Sequence, residues 1–226
     1  MSSLFKTDVK VSSIDGTNGV SVVDARVIEL DKWGITTQIL FTMSDNSYLT
    51  TAPQTQVLND HYYEASSMSD FITLTQSYGV SKIKLINDFT LSSVLEVTGD
   101  MVIDLNRNTL TYSASNAITV AENSSLTFKN GSLALKNETG ISVAGANAEL
   151  SFNKVNIAAS AVVAETLEDN ASITLENCTF QTYQASPIFA SNPSSSIGSL
   201  FVVKGTNSSL AIQSSKLETS RAIISA

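Results

Sequence analysis

Residues 120–135 read VAENSSLTFKNGSLAL, and residues 167–182 read LEDNASITLENCTFQT. The two stretches share one template: an Asn, two small residues, apolar-x-apolar, four variable residues and a further apolar one. Its first apolar position falls at Ile103 (IDLNRNTL), Leu126 (LTFKNGSL), Leu150 (LSFNKVNI), Ile173 (ITLENCTF) and Leu210 (LAIQSSKL), at intervals of 23, 24, 23 and 37. Three positions before each start stand Asp100, Asn123, Asn147, Asn170 and Asn207. A fixed period of this size marks a repeat architecture.

Apolar-x-apolar describes a half-buried strand of period two. Asn and Asp tolerate left-handed backbone and make tight turns. A unit of about 23 residues is too short for a strand-helix-strand crossover. It suits one coil of a parallel β-helix, in which equivalent side chains of successive coils pile up inside a tube. Three inner stacks follow: Ile103, Leu126, Leu150, Ile173, Leu210; then Leu105, Phe128, Phe152, Leu175, Ile212; then Leu110, Leu133, Ile157, Phe180, Leu217. A second strand per coil reads as AITVA (117–121), GISVA (140–144), AVVA (161–164), FVV (201–203) and the closing AIISA. Right-handed coils are expected from the crossover preference of parallel strands. The rival reading is a β-sandwich with evenly spaced strands.

The sequence has 226 residues, a net charge of −8 and a pI near 4.6. That balance argues against a nucleic-acid surface and against binding to anionic lipid. Charged residues are 15% of the chain, and Ser, Thr and Asn are abundant, as hydroxyl- and amide-rich outer faces require. The single cysteine, Cys178, excludes an intramolecular disulfide. It stands in its template where Val155 stands one coil earlier, which marks it as a small buried hydrophobe and not a nucleophile. No stretch approaches the roughly 18 apolar residues that span a membrane. The N-terminus, MSSLFKTDVKV, has no apolar signal region, so synthesis in a cytoplasm without export by the usual signal is expected. Of the N-x-[ST] sequons at Asn123, Asn137, Asn170, Asn177 and Asn207, three are turn residues of the repeat.

Residues 67–79, SMSDFITLTQSYG, carry the helix signal. Ser67 and Asp70 form an S-x-x-D start. Phe71, Leu74 and Tyr78 fall on one face, and Gly79 suits the position past the end. A helix directly before the first coil would cover its open apolar end. Residues 1–66 leave the repeat. They show strand-like runs at 8–14, 19–30 and 35–43, turn signals at 15–19 and 44–46, and a linker-like segment at 50–67. The expected organisation is an N-terminal β attachment module and linker (1–66), a capping helix (67–80) and a parallel β-helix (81–226).

The helix followed by KIKLINDFTLSSVLEVTGDMVIDLNRNTLT resembles the N-terminal cap and first coils of the pectin-lyase-like right-handed β-helix superfamily. That family often shows an IxL…DxTL strand, a turn and then IDLNGxTL. Where the family has Gly in the last motif, this chain has Arg107 and Asn108. The resemblance covers residues 67–226 and implies a fold more than a function. The superfamily includes polysaccharide lyases and hydrolases, bacterial adhesins, and phage tailspikes and fibres.

Catalytic forms of this fold group carboxylates on an exposed face. Here the outward position between the paired apolar residues reads Asp104, Thr127, Ser151, Thr174, Ala211, and the next reads Asn106, Lys129, Asn153, Glu176, Gln213. Neither is an acidic ladder. The local carboxylate group is Glu165, Glu168 and Asp169, in a loop beside a turn. It reads as solvated charge, or else as a cation site or an acid/base pair of the glycosidase type. His61 stands alone without metal-site companions, and Tyr62 and Tyr63 beside it either pack or contact a partner. Sugar-binding spikes need aromatic platforms. The outward candidates are Tyr112 and Tyr183, and Trp33 lies outside the repeat. The 14-residue insertion at 186–199 departs from the period, and it is either a contact loop or a loop without function.

Taken as a whole the sequence reads as a non-enzymatic virion fibre protein of a bacteriophage. Residues 1–66 would bind other virion proteins and the β-helix would serve adhesion or decoration, with a host surface glycan as a further partner. No cofactor and no metal are expected. A polysaccharide-binding or polysaccharide-degrading spike, in the second case a hydrolase or lyase, and a bacterial surface adhesin are the alternatives. A homo-oligomer is expected, because the closing AIISA stops part-way round a coil and leaves edges that need cover. The resemblance to phage fibres implies a trimer, while a different protein or the 186–199 loop could also supply the cover.

Overall fold

The computed structural model describes residues 20–55, 57–58, 60–136, 140–159, 162–182, 199–218 and 222–225. The chain divides into two compact units, residues 1–59 and 60–226.

The first unit is an antiparallel sheet of β1 (Val22–Glu29), β2 (Thr36–Met43), β3 (Tyr48–Thr50) and β4 (Gln54–Thr55), with β2 paired to the other three. The runs expected at 19–30 and 35–43 become β1 and β2. The run at 8–14 and the turn at 15–19 lie outside the described residues. Asp31 shapes the β1–β2 turn. Its carboxylate accepts backbone N–H bonds from Trp33 (2.9 Å), Ile35 (3.1 Å) and Thr36 (2.6 Å). At the β2–β3 turn Asn46 takes φ +65°, inside the expected signal at 44–46. Register places Ala25, Val27, Ile39, Phe41 and Leu49 on one face. That face is apolar but not buried among the described residues.

Burial raises the pKa of Asp31, but the three backbone hydrogen bonds outweigh it and hold the carboxyl below its usual value. A depressed folded-state pKa means that the stabilisation is present above the unfolded value of about 3.9 and is lost as pH falls through the folded value. The amide resonances of Trp33 and Thr36 should therefore titrate below pH 4 and mark the opening of this turn. In Asp31→Asn that titration should vanish; a titration that persisted would mean another group controls the turn.

The second unit opens with β5 (Tyr63–Ala65) and α1 (Met68–Gln76). The coils follow: β6 (Lys82–Leu85), β7 (Phe89–Leu91) and β8 (Glu96–Val97); β9 (Asp100–Asp104), β10 (Thr109–Tyr112) and β11 (Ile118–Val120); β12 (Ser125–Leu135) and β13 (Ile141–Val143); β14 (Glu149–Ala159) and β15 (Ala164–Thr166); β16 (Ser172–Glu176), β17 (Thr179–Thr182) and β18 (Ser199–Val203); β19 (Ser209–Gln213), β20 (Lys216–Glu218) and β21 (Ala222–Ser225). Strands of successive coils pair in parallel throughout, as in β12 on β14 and β14 on β16. The unit is a parallel β-helix of about five turns. Among the described residues no helix is long and apolar enough to cross a membrane.

The unit begins earlier than the expected boundary at 66/67, because β5 lies inside the segment read as a linker and pairs in parallel with β6. Its pattern is too short to show periodicity, yet Tyr63 and Ala65 are buried. Helix α1 starts at its Ser67 cap, whose hydroxyl accepts the Asp70 N–H at 3.2 Å. Asp70 reaches back to the Ser66 N–H at 2.9 Å. Phe71 and Leu74 are fully buried against the first coil, with the Phe71 and Phe89 rings 5.5 Å apart. Tyr78 does not join them. The helix stops at Gln76, Tyr78 falls in the following turn and is 91% exposed, and Gly79 takes φ +81°.

The inner stacks hold from the second copy onward: Leu126, Leu150, Ile173, Leu210 and Phe128, Phe152, Leu175, Ile212 are in register. The third stack is in register from Leu110 through Leu133, Ile157 and Phe180 to Leu217. The second coil, β9–β11, differs by two residues. Met101, not Ile103, pairs with Leu126, and Ile103 pairs with Phe128. Asp100 therefore lies in a strand and is no turn residue. Leu105 is buried inside a longer bend instead of facing Phe128. The cause is local: residues 105–108 fill a bend that the later coils make with two residues, such as 130–131 and 154–155.

The second strand of the fourth coil is also displaced from expectation. AVVA (161–164) is apolar, but the strand is β15, Ala164–Thr166, in register with Ile141–Val143. Thr166 takes the inner place of Val143 and is fully buried. Its hydroxyl donates to the Lys204 carbonyl and accepts the Lys204 N–H, both at 2.8 Å, so a polar residue occupies a core position without an unmet bond.

The turn asparagines behave as the template requires. Asn123, Asn147, Asn170 and Asn207 all have φ between +52° and +59°. The Asn147 amide donates to Asn123 Oδ1 at 3.0 Å, tying adjacent coils. Asn147→Ala should lose that bond and force a Cβ-bearing residue without Asn's tolerance into left-handed backbone, at a cost of about 1–2 kcal/mol in urea unfolding. Asn147→Gly should recover most of the loss; equal losses in both would show that the backbone conformation is not the cause. Asn177, the fourth sequon described, is also left-handed, at φ +53°, and Asn137 lies outside the described residues. Cys178 is 1% exposed in the column of Val155, and burial pushes its thiol pKa up, as expected for a packing residue.

Candidate functional site

The shift in the second coil reorders the outer face of the large sheet. The row that sequence spacing assigned to Asn106 belongs to Asp104. It runs Glu64, Lys84, Asp104, Lys129, Asn153, Glu176, Gln213, one residue per coil. Lys84 meets Glu64 at 3.3 Å, Lys129 meets Asp104 at 3.6 Å, and Asn153 donates to Glu176 at 2.7 Å. Lys129 also lies 4.7 Å from the centroid of the Tyr62 ring, and Lys82 lies 5.6 Å from it while pairing with Asp60. Tyr62 is thus a packing surface for two ammonium groups. Tyr63 is buried, and His61 meets its ring edge-on at 4.8 Å. Along this row Lys84 and Lys129 are matched by Glu64 and Asp104, and Glu176 is met by the Asn153 amide alone.

One region of the outer surface is different. At the bend after the first strand of each coil from the second onward, a left-handed residue turns the chain: Asn130, Lys154, Asn177 and Ser214, with Asn106 and Arg107 in the longer bend of the second coil. That longer bend overhangs the next coil. A Cβ on Gly131 would come within 2.5 Å of Leu105 Cβ and 2.7 Å of the Asn108 carbonyl oxygen, so only glycine fits beneath it. Arg107 N–H donates to the Asn130 carbonyl (2.6 Å) and Ser132 N–H to that of Asn108 (3.0 Å). Under the ledge is a recess of about 330 Å³ lined by Arg107, Asn130, Gly131, Ser132, Lys154 and Asn156. Arg107 and Lys154 are exposed. The ion pairs among the described residues use Lys82, Lys84, Lys129 and Lys204, and neither recess cation has a partner there.

The residues that sequence spacing singled out are not brought together. Tyr112 is no outward platform. Strand β10 continues past inward Leu110 by two residues, so Tyr112 shares its inward face and is fully buried in register with Leu91 and Leu135. Its hydroxyl donates to the Asn116 carbonyl at 3.0 Å, and burial raises its pKa. Tyr183 and the insertion at 186–198 lie outside the described residues. Glu165 is on strand β15 and pairs with Lys204 at 3.4 Å. Asp169 accepts the Thr206 N–H at 2.6 Å, and the carbonyl of Glu168 accepts the Ser208 hydroxyl at 2.8 Å. The trio therefore ties one coil to the next, and no group of three His, Cys, Asp or Glu able to hold a metal occurs among the described residues. The recess was missed in sequence, although it left two signals: Arg107 where the resembling motif has Gly, and Lys154 where the equivalent bends carry Asn130 and Asn177.

No protein-family model matches this chain, and neither does a curated protein sequence or a solved structure.

Proposed function

We propose that this chain is a non-enzymatic fibre protein of a bacteriophage particle, in which the N-terminal β module attaches to other virion proteins and the β-helix serves adhesion or decoration. The observation that carries the reading is the division of labour in the chain. A small antiparallel sheet whose apolar face (Ala25, Val27, Ile39, Phe41, Leu49) is only half-buried or exposed among the described residues precedes a repetitive solenoid. An apolar sheet face of that kind suits burial against a partner. The resemblance of residues 67–226 to the β-helices of phage spikes and fibres supplies the particle, and with it a trimeric assembly. Leu210 and Ile212 are half-buried where Ile173 and Leu175 one coil earlier are fully buried, which fits a further surface packing there.

The test is the composition of purified particles. Antibody raised to residues 60–226 should label intact virions, and a chain lacking residues 1–59 should fail to incorporate while still folding. Labelling of a bacterial envelope in uninfected cells would replace the particle by the adhesin reading. Release of oligosaccharides from host polysaccharide by the purified protein would replace it by the degrading spike.

A further inference from the structure

We propose that strand β1 is a pairing edge, on which a second copy of this chain adds its own β1, antiparallel, about a two-fold axis through Ala25. The inference goes beyond the particle reading and does not rest on it. Strand β2 has neighbours on both sides, whereas β1 ends its sheet among the described residues. Val23 is 61% exposed and Val27 43%. An edge strand of eight residues with exposed valines is a template for another strand.

Hydrogen-bond parity limits the register. The Leu30 N–H donates to the Thr36 carbonyl at 2.8 Å, and the β1–β2 pairing continues that register without a shift as far as Asp24 and Thr42. Antiparallel pairs alternate between bonded and open. Ile28, Arg26 and Asp24 therefore direct their backbone groups to β2, and Ala25 and Val27 direct theirs to the open edge. A second β1 must bring outward residues opposite outward residues. Only a two-fold axis that passes through a residue does so, because an axis between residues faces each outward residue with an inward one.

Charge selects among those axes. An axis through Asp24 or Arg26 sets like charges directly opposite each other. One through Val27 or Ile28 sets Arg26 opposite Ile28 or Leu30. The axis through Ala25 sets Asp24 of each copy opposite Arg26 of the other, twice, as a two-fold contact requires. These are open pairs, in which side chains approach most closely and opposite charges attract. Within its own sheet Asp24 faces Thr42 and Arg26 faces Leu40, and neither is in an ion pair among the described residues. Val23 then faces Val27 at both ends, beside the bulge between Val22 and Asp24 that closes the pairing. The pairing also joins the apolar faces of the two sheets through Ala25 and Val27. So short a contact is weak by itself and depends on concentration. If the solenoids associate in threes as well, it joins two such assemblies.

The experiment is cross-linking of the full chain. Across the axis Ala25 meets its own copy in a bonded pair whose Cα atoms lie about 5.5 Å apart, within reach of a disulfide. Ala25→Cys under mild oxidation should give a covalent pair of chains on a non-reducing gel. Val27→Cys, about 14 Å from its own copy in this register, should not, and neither should the parent, whose Cys178 is buried. Adding Asp24→Arg or Arg26→Asp to the Ala25→Cys chain should each slow cross-linking about tenfold, because both ion pairs become repulsive. An equimolar mixture of these two chains should recover most of the rate, because each then meets its complement, and recovery shows that both are folded at this edge. No cross-linking of Ala25→Cys, equal cross-linking of Val27→Cys, or no recovery on mixing would each overturn the proposal. The first result would leave the edge to another occupant, such as residues 8–14 of the same chain. None of these outcomes touches the particle assignment, which is read from virion composition.

Discussion

Phe152→Ala should destabilise the β-helix by about 3–5 kcal/mol, measured by urea unfolding of the full chain. Phe152 is 1% exposed and lies in the middle of the second inner stack, between Phe128 and Leu175. Its ring is stacked on Phe128 at 5.8 Å with 12° between the planes. Truncation removes the transfer free energy of the ring and leaves a cavity. The coil backbones above and below cannot close it, because their spacing is fixed by the parallel hydrogen-bond ladder. Phe152→Leu should recover more than half of the loss by refilling most of the volume. A loss below about 1 kcal/mol for Phe152→Ala would mean that the core is loose enough to collapse around the gap.

Gly145→Ala should cost about 3 kcal/mol or more, although it adds only one methyl group. The Cβ would lie 2.0 Å from the Glu122 nitrogen and 2.2 Å from its Cα. Both are backbone atoms of the preceding coil and cannot rotate away. The position also explains the one interval of 24 in the repeat. Val120 pairs with Val143, but Ser125 pairs with Glu149, so one extra residue enters the turn at 144–146. The chain absorbs it by pressing Gly145 onto the coil before. A stable Gly145→Ala protein would require this turn to bulge outward, which loss of the Asn123 N–H bond to the Ala146 carbonyl (3.0 Å) would reveal in hydrogen exchange.

These two residues differ in how far the sequence announces them. Phe152 was legible, since apolar-x-apolar at a fixed period places it inside. Gly145 was not, since the template passes over turn residues. The same contrast runs through the candidate site. The repeat identified the bend containing Lys154 but not what overhangs it. Tyr112 was misplaced outward because the template ends at Leu110, and only the strand's continuation shows which way the ring points.

Legible in the residues alone were the parallel β-helix from about residue 81 onward, the inner stacks of its later coils, the left-handed asparagines, the buried Cys178 and the helix start at Ser67. Each is a local or periodic property. A side chain's inward or outward face follows from parity within a strand, and a left-handed turn residue follows from its own chemistry. Only packing between coils set the two-residue shift between the second coil and the third, the entry of β5 into the solenoid and the use of Thr166 in the core. It also decided that Arg107 and Lys154, 47 positions apart in sequence, border one recess. All of these depend on register between coils. Register is set by the length of bends whose residues carry no periodic signal, and a bend two residues longer moves every side chain before it relative to the neighbouring coil.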